Sequence, residues 1–408
     1  MLDLPPTVGI ASGGTHRSMV RLLHTADVHL GARYRDLGAS AADQRERQLK
    51  AFKASIDLAL AEKVDLFLIA GDLFDSNTQP RRSVEAVAAL LRRLADAGIP
   101  VALLPGTHDV YDAASIYRAY DLATTAGHAT DGLVVVLTPE HPRQRYAHLG
   151  LTVHGRCFAT KRAPQSPLAD FHVPADDPSR WHVGMIHGAL AIPGRTDHDE
   201  VVFRNEEIAA SGLDYLALGH WHSFQQGRAG RVPWAYSGAP EPVAIDQDQA
   251  GNVLLVTLEG EGPEKRVSIE PRRVGRTRFQ AVEVDVGVAA SQAAIEQSLL
   301  AHADPDLVLD VRLQGVWRTD LDLDTEELER ALGPRFLRAR VRNLAVPEAV
   351  AGPLPPEDTI AGAFIRDLTA RIEAAASAGR ADEEAELRDV LRVGRLFLDG
   401  HEVSLPVG

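Results

Sequence analysis

Apolar residues fall along this chain in short runs, and several of those runs end in acid or imidazole. Leu22–Gly31 reads LLHTADVHLG, and the plan returns in LFLIAGDLFD (Leu66–Asp75), VALLPGTHD (Val101–Asp109), HVGMIHG (His182–Gly188) and DYLALGHWH (Asp214–His222). Open α/β sheets place their sites at the C-terminal ends of strands, which is where these ionisable residues lie. Between the first runs the period changes from two to 3.6. Leu49, Phe52, Ile56 and Ala59/Leu60 mark an amphipathic helix over 43–63. Val84, Val87, Leu91 and Leu94 mark a second, entered after Pro80 and stopped by Gly98.

Strand, helix, strand, helix, strand predicts a largely parallel sheet with right-handed crossovers. Beyond Asp109 the apolar runs Leu133–Leu137, Leu149–Val153, His182–Ile186 and Tyr215–Leu218 come with fewer helices. They predict a second sheet packed on the first, an α/β two-sheet β-sandwich flanked by helices. Lys161–Arg180, rich in proline and paired charges, reads as a loop.

From Phe279 the alternation restarts. Val282, Val284 and Val286 alternate with Glu283 and Asp285, Ile295 and Leu299 fit a helix, and Leu307, Leu309, Val311 and Leu313 alternate again. Asp324 with Glu327 marks a helix start, and a last strand sets Leu337, Ala339 and Val341 against Arg338, Arg340 and Arg342. The expected division is a flexible extension over 1–18, a sandwich over 19–275, a small α/β domain over 276–345, a proline-rich linker over 346–358 and a helical pair over 359–408. Met19, just before the first strand, is an alternative start of translation. In the pair, Ile360, Phe364, Leu368 and Ile372 stripe one helix and Leu387, Val390, Leu391 and Phe397 the other, with Gly379 near the turn.

Composition narrows the class. The single cysteine, Cys157, excludes an internal disulfide framework and suits a reducing, cytoplasmic setting. No run of roughly 18 apolar residues exists, so no spanning helix is expected. A net charge of −14 argues against holding nucleic acid over the whole surface. Locally the balance reverses: Lys265, Arg266, Arg272, Arg273, Arg276 and Arg278 form a basic connector against Glu264 and Glu270.

The strand ends carry the chemistry. Asp27 and His29 alternate with Val28, and on an extended segment both would point toward one ion. Asp72 follows Gly71, His187 follows GMI, and His220 and His222 sit two apart. Carboxylate with imidazole suits Mn²⁺, Fe²⁺ or Zn²⁺. His24, His154 and His182 lie within or at the start of strands and read as structural residues. No GxSxG elbow and no GxxxxGK[ST] loop is present, so serine hydrolase and built-in ATPase chemistry lack their motifs.

D-x-H, G-D-x-x-D, G-x-H-D, an isolated His after an apolar strand, and G-H-x-H, in that order, resemble the calcineurin-like metallophosphoesterase superfamily. LLHTADVHLG, GDLFD, LGHWH and YSGAPEP resemble more narrowly the SbcD-like DNA repair exonucleases. The resemblance implies two divalent metal ions, Mn²⁺ favoured. One would be held by Asp27, His29 and His222, the other by His187 and His220, with Asp72 between them. His108 would face the scissile phosphate and Asp109 would orient its imidazole. The sequence departs from the family at Gly106-Thr107-His108-Asp109, where Thr107 replaces an Asn whose carbonyl binds metal. A hydroxyl is a weaker donor: either a water fills the place and the second site is weaker, or the enzyme is slow, or the fold is kept for binding alone. The resemblance further implies a DNA exonuclease or endonuclease, with the small domain capping the site and the C-terminal helices docking on an SbcC-like coiled-coil ATPase. It leaves a homodimer open. The alternatives are a catalytically weakened binding subunit of the same ATPase complex and a small-molecule phosphodiesterase.

Overall fold

The computed structural model describes residues 19–34, 41–194, 196, 201–242, 247, 249–317, 321–347, 355–356, 358–378 and 380–398. The N-terminal extension, Gly379 and most of the linker lie outside these residues. The chain divides into two compact units, with the break between Thr277 and Arg278.

In the first unit two six-stranded sheets stack. The first runs, in spatial order, Arg266–Arg273, Asn252–Glu259, Met19–Thr25, Leu66–Ala70, Val101–Leu104 and Val134–Val136. Its last four strands are parallel, and Asn252–Glu259 pairs antiparallel to Met19–Thr25. The second runs Gln225–Ala229, Val232–Tyr236, Tyr215–Gly219, Trp181–His187, Leu151–Arg156 and Arg143–Tyr146. Its four inner strands are parallel. Residues such as Leu22, Leu68, Val153, Val183 and Ala217 fill the space between the sheets. The opposite face of the first sheet, with Leu23, Phe67 and Ile69, packs on Phe52, Ile56, Val87 and Leu91 of the two helices. Both faces of each central strand are covered, which is why the runs read as continuously apolar.

Three sequence expectations change. Leu133–Leu137 supplies an edge strand of the first sheet, not of the second, because Val134–Val136 continues the parallel order beside Val101–Leu104. The first helix spans Ala41–Glu62 and turns Gln44 and Gln48 inward, while Leu49 is 40% exposed. Most of the basic connector is the edge strand Arg266–Arg273, and its cations have neighbours: Lys265 lies 2.9 Å from Asp214, Arg272 3.1 Å from Glu270, and Arg273 donates to the Thr277 carbonyl at 2.6 Å.

The second unit contains a three-stranded parallel sheet, Arg278–Asp285, Asp304–Gln314 and Phe336–Asn343, with helices Gln292–Leu300 and Thr325–Leu332. Asp324 caps the second helix by accepting from the Glu326 and Glu327 amides. The C-terminal helices Ile360–Ser377 and Ala381–Leu398 pack through Leu368, Ile372, Ala375 and Leu387, with Phe364 and Leu391 against them. Ile365 rather than Ile360 is buried, and Ile360, Val390 and Phe397 are exposed. No described helix is long and apolar enough to cross a membrane.

Candidate metal centre

The strands Met19–Thr25, Leu66–Ala70, Trp181–His187 and Tyr215–Gly219 deliver their C-terminal ends to one place. There the donor atoms of Asp27, His29 and His222 lie within 4.8 Å of one another, as do those of Asp27, Asp72 and His187, and those of His29, Asp72 and His108. His29 Nε2 is 3.1 Å from His222 Nε2, and His187 Nε2 is 3.0 Å from Asp72 Oδ2. Asp27, His29, Asp72 and His187 are buried, whereas the His108 side chain is 44% exposed.

The backbone brings them together by leaving the pleat. Asp27, His29, Asp72 and His220 all have positive φ, at 53°, 50°, 51° and 108°. Left-handed backbone is uncommon outside glycine and concentrates where tertiary contacts over-determine it. Here the two turns are tied together, Asp27 N donating to Gly71 O at 3.1 Å and His29 N to Asp72 O at 2.9 Å. The expectation that Asp27 and His29 converge because they alternate on an extended strand is therefore corrected: the strand ends at Thr25, and turn geometry aims them. Glycine is required beside them. A Cβ on Gly71, where φ is 92°, would lie 2.2 Å from His187 Nδ1, and one on Gly106 would lie 2.1 Å from Asp72 Oδ1.

Hydrogen bonds fix each donor. His187 Nδ1 donates to the Ala70 carbonyl at 3.0 Å, leaving Nε2 to face the carboxylates. The His220 amide donates to both Asp27 oxygens at 2.9 and 3.1 Å, and its ring centroid is 5.6 Å from that of His187. His220's ring joins none of the three triplets. Asp72 Oδ1 accepts from the His108 amide at 2.8 Å. Thr107 is buried between Gly106 and His108.

Asp109 does not orient the His108 ring. Its carboxylate accepts from Gly106 N at 2.7 Å, Phe74 N at 3.1 Å and the Tyr117 hydroxyl, so it holds the loop rather than the imidazole. The His108 ring instead has Nδ1 3.1 Å from the Asp75 carbonyl.

Sequence reasoning passed over three supports. Asp75 lies 3.3 Å from His29 Nδ1; it closes the GDLFD motif and was visible there. The Gln247 side-chain amide is 2.6 Å from His222 Nδ1, and no motif announced it. Glu241 of YSGAPEP is buried and accepts from the Arg276 and Thr277 amides at 2.8 and 3.0 Å, bracing the end of the unit.

Electrostatics describes a cage that wants positive charge. Burial raises the Asp27 carboxyl to about 6, against the pull of His187. Burial disfavours charge on Asp72 too, but His187 and His29 outweigh it and keep that carboxylate ionised. Burial opposes a charged His187, yet the Asp72 and Asp27 carboxylates raise it to about 10. Burial and the neighbouring His29 lower His222 to about 3. A proton on His187 thus balances the two carboxylates, and a divalent cation would take its place. His187 Nε2 is itself the test of fit: although close to Asp72, it is buried and outside hydrogen-bond alignment with any partner. A cation ligated there satisfies it, and imidazole with carboxylate is a donor set for Mn²⁺, Fe²⁺ or Zn²⁺.

Stacked sheets flanked by helices, with such a cage at their strand ends, are the architecture of a metallophosphoesterase. Residues 20–224 match the calcineurin-like phosphoesterase family, and the chain belongs to it. Among curated proteins it is 31% identical to the DNA double-strand break repair protein Mre11 of Aeropyrum pernix, over 67% of this chain and 65% of that one. It is 25% identical to the uncharacterized metallophosphoesterase YhaO of Bacillus subtilis, over 67% and 65% respectively. It is 26% identical to Mre11 of Halobacterium salinarum, over 73% and 71%. The chain thus spans about two thirds of the length of these relatives. Likeness to solved structures is slight: a dimetal phosphatase from Danio rerio superposes with TM-score 0.36 at 11% identity, over 62% of this chain and 96% of that one.

Proposed function

We propose that this chain is a metal-dependent DNA nuclease that hydrolyses phosphodiester bonds at DNA ends, in the cytoplasm, beside an SbcC-like ATPase. The observation that carries the reading is the cage of buried Asp27, His29, Asp72 and His187 with half-buried His222, and an exposed histidine, His108, beside it. DNA is favoured over a small ester by the relatives named for double-strand break repair.

Asp27, His29 and His222 would hold one cation, His187 and His220 the other, and Asp72 would lie between. Thr107 would leave the second site weaker, and Mn²⁺ is the favoured ion. Bound there, two cations supply the charge that acidifies a water and neutralises phosphate oxygens. The residues do the rest. Asp75 and Gln247 hold the rings of His29 and His222, and Ala70 O fixes the tautomer of His187. The His108 Nδ1–H donates to the Asp75 carbonyl, which orients the ring; with the ring doubly protonated, the Nε2 proton would pass to the departing oxygen. Exposed Ile360, Val390 and Phe397 on the C-terminal helices offer an apolar surface to the ATPase.

Purified protein and its His108→Ala variant, compared on linear duplex DNA in Mn²⁺, should differ by about 10²-fold in cleavage rate. Equal rates would overturn the assignment. Thr107→Asn should raise activity or second-cation affinity, and no change in either would remove the account of that position. Loss of residues 358–408 should abolish ATPase association while the first unit stays folded.

Thr107 also favours a second reading, a binding subunit that keeps the fold with little catalysis. DNA binding without Mn²⁺-dependent cleavage, unrelieved by Thr107→Asn, would select it.

A further inference from the structure

Three other donors meet in the first unit, away from the cage. We propose that His154, Asp177 and His182 form a further metal site, one that takes a borderline transition ion such as Zn²⁺ and ties the segment 157–180 to the second sheet. The donor atoms of these three lie within 4.8 Å of one another. Sequence alone assigns both histidines a structural part, because neither stands at a strand exit.

Register puts the two rings on one face. Leu151–Arg156 and Trp181–His187 are parallel neighbours with Thr152 beside His182 and His154 beside Gly184. Val153 and Val183 point into the core between the sheets, so the alternating positions Thr152, His154 and His182 point outward. His154 Nε2 then stands 3.4 Å from His182 Nδ1, with both side chains buried. Asp177 comes down on them from the covering segment. Its Oδ1 accepts from the Ser179 amide at 3.0 Å and the Thr152 hydroxyl at 3.2 Å, which fixes the carboxylate above the rings.

Two imidazoles and one carboxylate make a three-ligand set with a fourth position for water, a donor set suited to Zn²⁺. Access exists: His154 lines a cavity of about 280 Å³ together with Arg143, Arg156 and Phe171. Lys265 is paired with Asp214 at 2.9 Å, while Arg156, held over the Phe171 ring at 4.8 Å, keeps its positive charge near His154. Arg143, cross-strand from His154, opposes a dication and sets the affinity below that of a thiolate site.

The covering segment supplies the reason for such a tie. Residues 157–180 contain neither strand nor helix, and connections of that length without regular structure need contacts that order them. His182 and His187 stand at opposite ends of one strand, about 16 Å apart along it. The two sites therefore share no ligand.

The full chain, stripped with chelator and equilibrated with Zn²⁺, should hold one more equivalent of zinc than His182→Gln or Asp177→Asn. Zinc should also slow tryptic cleavage after the exposed Arg162 in the wild-type chain at least several-fold and in neither variant. If His182→Gln proves misfolded by circular dichroism, Asp177→Asn carries the test alone, because Asp177 is half-exposed and its replacement is isosteric. Equal zinc content in wild type and a folded variant, or protection that persists in Asp177→Asn, overturns the proposal.

Discussion

Charged residues crowd both units, but they are used in opposite ways. In the first, Asp27, His29 and Asp72 sit on left-handed turns past the strand ends and bring their side chains to one locus. In the second, Arg312 and Arg342 stay on the pleat at registered positions and share Asp310, Arg342 Nε at 3.1 Å and Arg312 Nε at 3.4 Å. A pleated face spaces its side chains evenly and can only pair neighbours. Turns rotate side chains out of that lattice, so groups from four strands can converge. Convergence makes a site; even spacing makes a solvated face.

The largest effect should follow from breaking the convergence. Asp72→Ala removes the carboxylate that lies 3.0 Å from His187 and 3.7 Å from His29, and Mn²⁺-dependent cleavage should fall by about 10³-fold or more. Added Mn²⁺ at about 100 times its dissociation constant should stabilise the wild-type first unit by about 2.7 kcal/mol and the variant far less. Calorimetry with and without the ion reads this directly. An equal shift in both proteins would place the ion elsewhere.

A smaller effect belongs to His24, a buried histidine outside the cage. It pairs with Tyr215 Oη at 2.9 Å and the Leu218 carbonyl at 3.2 Å, and burial lowers it from 6.5 to about 3. Because the folded value lies below the unfolded one, its contribution is complete above pH 6.5 and is lost as pH falls toward 3. The slope should be about 1.4 kcal/mol per pH unit in that window. Urea midpoints of wild type and His24→Gln against pH should show the shallower dependence in the variant, and parallel curves would discard His24 as the source.

The smallest effect is expected on the pleated face. Arg342→Ala should change the stability of the second unit by about 1 kcal/mol or less, since its ion pairs are partly solvated. If the face touches DNA, the same variant should lower the salt slope of binding by about one. An unchanged slope would leave the arginines as internal partners of Asp310 and nothing more.

The sequence by itself determined which residues stand at strand ends. Period and punctuation marked the strands around Leu22, Leu66, Val101, His182 and Tyr215, and the D-x-H, G-D, G-x-H-D and G-H-x-H signatures named nearly every cage residue. Those signals are local, and local backbone preference is enough to produce them. Tertiary structure decided how the residues are aimed. Asp27 and His29 converge through left-handed turns that depend on Gly71 and Asp72, Asp109 binds Gly106, Phe74 and Tyr117 rather than His108, and Gln247 reaches His222 from a segment with no motif. The outward pairing of His154 with His182, and Asp177 above them, likewise depended on sheet register and on where a long connection came to rest. Each of these is a contact between segments far apart in the chain, and only packing selects among the partners that such segments could meet.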